Sequence, residues 1–169
     1  FLTPNVVLSA VLINEVAWMG TSVSANDEWI ELYNDGSSSV DVSGWSLTDN
    51  VGMTIEFPAD AGSIASGEYA VLERSDDDSA PGTAFLIYTG ALSNDGRTLT
   101  LHRSDDSIED QVAGGDAWST IGGDNTTKDT AQRTSSGWVT AVATPGSINA
   151  SESEEEEEDE NDTEEENVV

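Results

Sequence analysis

Short segments in which apolar and polar residues alternate recur along the chain, and turn-forming residues bound each of them. They follow one another every 10 to 15 residues or so between residues 11 and 142. Parallel sheets need long crossover connections, usually helices, and this spacing leaves no room for them. The rhythm therefore predicts an all-β fold, a β-sandwich with a single core.

The clearest predicted strand spans residues 28–34. Its Ile30 and Leu32 fall on one face, which we expect to join the core. The opposite face carries Trp29, Glu31 and Tyr33. We expect Trp29 and Tyr33 to be exposed there, and they are our candidates for surface recognition, for example of carbohydrate.

Further strands are predicted on either side of this one. In residues 97–103, Leu99 and Leu101 alternate with polar residues, and a predicted hairpin turn at residues 94–96 precedes them. Trp45 shares a face with Leu47, so we place it in the core. The other predicted strands are residues 11–18, 40–48, 54–57, 69–74, 85–88, 108–113, 131–134 and 138–142.

Negative charge dominates the chain, which has 34 acidic residues, five basic residues and a net charge of -29. Such a surface repels phosphate backbones and anionic membranes, so the composition argues against nucleic-acid binding. Residues 151–169 hold 12 of the acids, and we predict that they form a disordered acidic tail. The rest of the chain is acidic too, which points to a high-salt habitat or a cation-rich surface role.

We predict that the chain has three parts: an N-terminal segment of residues 1–10, a β-sandwich over residues 11–150, and the acidic tail of residues 151–169. Residues 1–10 are similar to the end of a signal peptide, and the alternative is a donor strand that completes a neighbour's sheet. No apolar run is long enough for a membrane helix, and there is no cysteine. We expect an extracellular or cell-surface protein.

Six motifs in order give the chain a resemblance to the lamin tail domain, in its prokaryotic, exported form, over about residues 11–149. They are LINEV at 12–16, DEWIELYN at 27–34, GWSLTD at 44–49, LSNDG at 92–96 before Leu99, Trp118 in a loop, and PGSIN at 145–149. The resemblance implies an immunoglobulin-like β-sandwich, found beside secreted hydrolases or on cell surfaces. It implies no catalytic activity of its own.

Catalysis has little support in the residues themselves. His102 is the only histidine, and neither a nucleophile elbow nor an oxyanion-hole motif accompanies it. We therefore predict that the chain is not an enzyme and requires no cofactor.

Calcium is the one ion that the loops suggest, because it prefers carboxylate oxygens clustered on turns. The candidate ligands are Asp76, Asp77, Asp78, Asp95, Asp105 and Asp106. No EF-hand is present, and solvated loops in an acidic protein are the alternative. Glu15, Asp27 and Glu31 could meet across the first two strands, where we favour a structural hydrogen-bonding role.

Three hypotheses of function follow. The first is a non-catalytic binding or scaffold module outside the cell, whose partner is a protein, a surface polymer or another copy of itself. The second is a subunit of a surface filament joined by the donor strand. The third is an accessory domain of an exported metal-dependent hydrolase.

Overall fold

The computed structural model describes residues 10–150, and these form twelve β-strands and one short 3₁₀ turn at Asp116–Trp118. Residues 1–9 and 151–169, which include most of the predicted donor strand and the whole acidic tail, lie outside the described part. The strands are β1 Val11–Ala17, β2 Trp29–Asn34, β3 Val40–Asp41, β4 Ser46–Thr48, β5 Thr54–Glu56, β6 Ser63–Ile64, β7 Tyr69–Arg74, β8 Leu86–Tyr88, β9 Thr98–His102, β10 Ile108–Ala113, β11 Thr130–Thr134 and β12 Gly137–Ala141.

Two larger sheets make up the domain. The six-stranded sheet has the order β12-β11-β1-β2-β7-β8, and the four-stranded sheet has the order β10-β9-β4-β5. All pairings are antiparallel except the parallel pair β7–β8. A third, two-stranded sheet pairs β3 with β6. This architecture confirms the predicted all-β sandwich of immunoglobulin-like type.

One apolar cluster holds the two larger sheets together. Ile30 and Leu32 of the six-stranded sheet belong to it, and so do Leu47, Leu99 and Leu101 of the four-stranded sheet. All five side chains have no accessible surface, so their burial contributes about 1.5–3 kcal/mol each. Trp45 lies in the same cluster at 5% exposure, as predicted.

Two local predictions were wrong, and one strand was missed. The strand expected at residues 40–48 is divided into β3 and β4, because a turn with Gly44 at φ +73° separates them. The predicted hairpin turn at residues 94–96 instead connects β8 of one sheet to β9 of the other. Strand β6 was missed because two residues are too few to show alternation.

Trp29 is not the exposed platform that the alternation predicted. Its side chain is 2% exposed, although it lies on the face of β2 opposite Ile30. Pro81 and Pro145 reach this face from distant parts of the chain, and they line one cavity of about 250 Å³ together with Trp29. The outer face of the six-stranded sheet is therefore partly covered, and Trp29 cannot act as a surface contact.

Candidate functional site

The C-terminal segment, residues 142–150, leaves β12 and returns across the outer face of the six-stranded sheet. Gly146 N–H donates a hydrogen bond to Glu31 Oε2 on β2 (2.6 Å), and Thr144 N–H donates one to Glu15 Oε1 on β1 (3.0 Å). The chain up to residue 150 thus packs on the sheet, and Ala150 N–H donates a hydrogen bond to Gln132 Oε1 (2.8 Å).

Glu15 and Glu31 form a buried acid pair beneath this segment. They occupy opposite positions in the β1–β2 register, and neither side chain has accessible surface. Glu15 accepts hydrogen bonds from Thr130, Gln132 and Thr144. Glu31 accepts them from Asn14 Nδ2 (2.8 Å) and Gly146 N–H. The pair therefore holds β1, β2, β11 and the C-terminal segment together.

Burial makes both carboxyl groups of the acid pair weaker acids than usual. Desolvation is the main reason that the pKa of Glu31 rises to about 7, and the nearby Glu15 charge adds to it. Desolvation also raises the pKa of Glu15, against the hydrogen bonds from Thr130 and Thr144. Asp27, the third acid expected here, lies apart and accepts a hydrogen bond from Thr21 Oγ1 (2.6 Å).

An open cavity of about 540 Å³ lies where the C-terminal segment meets the sheet. We call it the tyrosine cavity; strands β1, β2, β7 and β11, the turn after β11 and the C-terminal segment all contribute to its wall. Its lining includes Asn14, Tyr33, Tyr69, Arg133, Ile148 and Asn149. Its volume is in the range of small-molecule sites, about 300–1,000 Å³.

Two tyrosines stand side by side in this cavity. Tyr33 on β2 and Tyr69 on β7 are cross-strand partners, and their stacked ring centroids are 4.7 Å apart. Both are half-buried, so the predicted exposure of Tyr33 holds in part. Burial, followed by the neighbouring Tyr33, raises the pKa of Tyr69, and this phenol is therefore neutral at physiological pH.

The remaining polar wall is held firmly in place. Asn149 Nδ2 donates to the main-chain oxygens of Asn14 (3.0 Å) and Arg133 (2.9 Å). The Arg133 guanidinium donates to both carboxylate oxygens of Asp110 (2.7 and 3.3 Å) and lies 5.5 Å from the centre of the Trp138 ring. Its charge is therefore compensated within the domain.

The aspartates proposed as calcium ligands are exposed, and two of them accept hydrogen bonds from backbone N–H groups of their own loops. Asp77 Oδ1 accepts a hydrogen bond from Ala84 N–H (2.5 Å), and Asp105 Oδ1 accepts one from Ser107 N–H (3.1 Å). Over residues 10–150, no three His, Asp or Glu side chains come together as a group that could hold a metal. The structure thus leaves Asp76, Asp78, Asp95 and Asp106 without a shared site.

His102 is half-buried on β9, and its Nδ1 lies 3.5 Å from the carbonyl oxygen of Asp106. The ring therefore faces main chain of the β9–β10 hairpin.

Sequence reasoning missed Tyr69, Arg133 and the Asn14–Asn149 pair. Tyr69 begins a predicted strand, so its pairing with Tyr33 required the strand order, which alternation does not supply. Asn149 had one signal, since it ends the PGSIN motif on which the resemblance rests.

Comparison with known proteins adds one match. The family model of the lamin tail domain matches residues 7–137, which contain β1 to β11. A search of curated proteins finds no match. Among residues 10–150 there is no helix with the length and apolar character to cross a bilayer.

Proposed function

Because the chain belongs to the lamin tail domain family, we propose that it acts outside the cell or at the cell surface as a recognition module. An immunoglobulin-like sandwich of a non-catalytic family supports a binding or scaffold role. The extracellular location is supported by the signal-like character of residues 1–10.

One observation carries the recognition role, namely the tyrosine cavity. Its two tyrosines are half-exposed on the outer face of the six-stranded sheet, whereas Trp29 on the same face is buried. Its walls come from distant parts of the chain and are fixed by hydrogen bonds, so the cavity is formed before any ligand arrives. A preformed concave site with few, fixed polar groups is typical of ligand binding.

The experiment has two parts. Fractionation of the source cells, with protease added to intact cells, tests the location, and we expect the protein in the medium or in a protease-sensitive surface fraction. Purified protein labelled at its N-terminus is then added to intact cells. We expect Tyr33→Ser to lower binding and Ile87→Ser to leave it unchanged, because Ile87 is an exposed residue of β8 outside the cavity.

Two results would contradict the proposal: a cytoplasmic protein, or equal cell binding by wild type and the Tyr33 variant. The filament hypothesis depends on residues 1–10, nine of which lie outside the described part of the chain, and it stays a prediction. Size-exclusion chromatography with and without those residues tests it. The hydrolase hypothesis likewise has no observation of its own.

A further inference from the structure

We infer that the tyrosine cavity binds a neutral carbohydrate, a short oligosaccharide or the end of a surface polysaccharide. The inference depends on the proposed recognition role and specifies its ligand. It follows from three properties of the described residues. The cations are engaged by other groups of the domain, no carboxylate lines the cavity, and the Tyr33 ring forms part of its wall.

Anionic ligands find no unpaired cation in the tyrosine cavity. All four arginines make ion pairs with its own carboxylates. The pairs are Arg74 with Glu28, Arg97 with Asp49, Arg103 with Glu109, and Arg133 with Asp110. Lys128, the only lysine, donates to Met19 O (3.1 Å) and Asn125 Oδ1 (2.6 Å). A phosphate, sulfate or uronate would therefore enter a strongly negative field without a partner.

Cationic ligands are disfavoured by the lining itself. No carboxylate is among the residues that line the tyrosine cavity, and Arg133 is its one charged group. Glu31 lies beneath the wall, but its oxygens already accept hydrogen bonds from Asn14 and Gly146. An ammonium or guanidinium group in the cavity would lose hydration without a carboxylate in direct contact to replace it.

A neutral ligand with one apolar face suits the position of Tyr33. Strand β2 lies between β7 and β1, so Tyr69 stacks on one side of the Tyr33 ring. The cavity residues Asn14 and Arg133 belong to β1 and β11, on the other side. Tyr33 lines the cavity between these strands and Tyr69, so its ring offers an aromatic surface against which the C–H face of a sugar can pack.

Polar groups around that ring can bind sugar hydroxyls. Neither Tyr33 nor Tyr69 uses its phenol oxygen in a hydrogen bond within residues 10–150, and Ser135 adds a hydroxyl to the lining. Asn149 is held by its bonds to Asn14 and Arg133, so little side-chain entropy remains to be lost on binding. Ile148, 82% exposed, provides an apolar contact at the rim.

The test uses the full chain, labelled with nitrogen-15, and four neutral oligosaccharides made of glucose, mannose, galactose or N-acetylglucosamine. A sulfated oligosaccharide, an oligouronate and hexalysine are the charged probes. We expect at least one neutral probe to shift the amide resonances of Tyr33 and Asn149, with an affinity that falls roughly tenfold in Tyr33→Ser and is unchanged in Ile87→Ser. Shifts caused only by a charged probe, or by none, would overturn the inference.

A second arm separates this inference from the proposed function. Intact cells are treated with periodate, which oxidises sugar diols, or with protease, before the labelled protein is added. Loss of Tyr33-dependent binding after periodate supports a carbohydrate ligand. If binding survives periodate and is lost after protease, the ligand is a protein, and the recognition role stands without the carbohydrate. If the protein binds no cells at all, the recognition role itself is wrong.

Discussion

Two groups of acidic side chains use the same carboxylate chemistry for opposite purposes. Glu15 and Glu31 are fully buried and accept hydrogen bonds from segments far apart in sequence, up to 129 positions for Glu15 and Thr144. Asp77 and Asp105 are exposed and accept theirs within seven positions. The first group ties the fold together, whereas the second only shapes the turn in which it lies.

The difference shows that acidity by itself does not identify a cation site. A buried carboxylate must be protonated or fully hydrogen-bonded, because transfer of a bare charge from water is costly. An exposed carboxylate loses little hydration and needs no partner. Asp49 shows that burial does not fix the outcome: at 6% exposure it accepts hydrogen bonds from three backbone N–H groups, and its pKa is lowered although burial alone would raise it.

The largest expected effect is that of Glu15→Ala. The substitution leaves Thr130, Gln132 and Thr144 with donors that have lost their acceptor in a buried site, so we expect the free energy of unfolding to fall by about 3 kcal/mol. Asp77→Ala is the matched control, and a change within about 0.5 kcal/mol is expected there. Urea denaturation measures both. Similar losses in the two variants would remove the distinction between the groups.

An intermediate effect is expected from pH. The pKa of Glu31 rises from 4.5 when unfolded to about 7 when folded, so the folded state holds this proton more tightly. Its contribution to stability is therefore complete below pH 4.5 and is lost as the pH rises through 7. We expect the stability of Glu31→Gln relative to wild type to increase by about 2 kcal/mol between pH 5 and pH 8.

Comparing wild type with Glu31→Gln cancels the pH-dependent contributions that the other titrating groups make to stability. The exception is Glu15, which couples directly to Glu31. Glu15 faces Glu31 across the strands and also has a raised pKa, so the two carboxyl groups titrate as a coupled pair and the transition extends over a wider pH range. Tyr69 on β7 stays protonated throughout this range. A stability difference that does not change between pH 5 and pH 8, measured by urea denaturation, would show that Glu31 is not held protonated.

The smallest expected effect is that of calcium on the exposed aspartates. Since no three His, Asp or Glu side chains within residues 10–150 form a group that could hold a metal, we expect saturating calcium to change the free energy of unfolding by less than about 0.5 kcal/mol relative to chelator. A native-state ligand at 100 times its Kd would give about 2.7 kcal/mol. A stabilisation that Asp77→Asn abolishes would show that calcium itself assembles a site in this loop.

Alternation was enough to predict the fold class and most of the core. Ile30, Leu32, Leu99 and Leu101 are buried as expected because a strand's two faces are set by its local sequence. Strands β9 and β10 were predicted at residues 97–103 and 108–113 for the same reason. Resemblance added the immunoglobulin-like type of sandwich, which the family match supports.

The candidate site could not be predicted in this way, because it depends on contacts between distant segments. Trp29 and Tyr33 share one face of β2, yet Trp29 is covered by chain near Pro145 while Tyr33 borders an open cavity. Glu31 and Gly146 are 115 positions apart. Local patterns show which face a residue occupies, but they do not show what later covers that face.

The route of the C-terminal segment also has a mechanical consequence. A pull applied at Ala150 acts first on its hydrogen bond to Gln132 of β11 and on the bonds of Asn149 to Asn14 of β1. Tension thus enters the sheet at its interior strands, and β12 at the edge is bypassed. The acidic stretch that follows Ala150 is therefore attached to the domain through hydrogen bonds to β1 and β11, in addition to the covalent connection through β12.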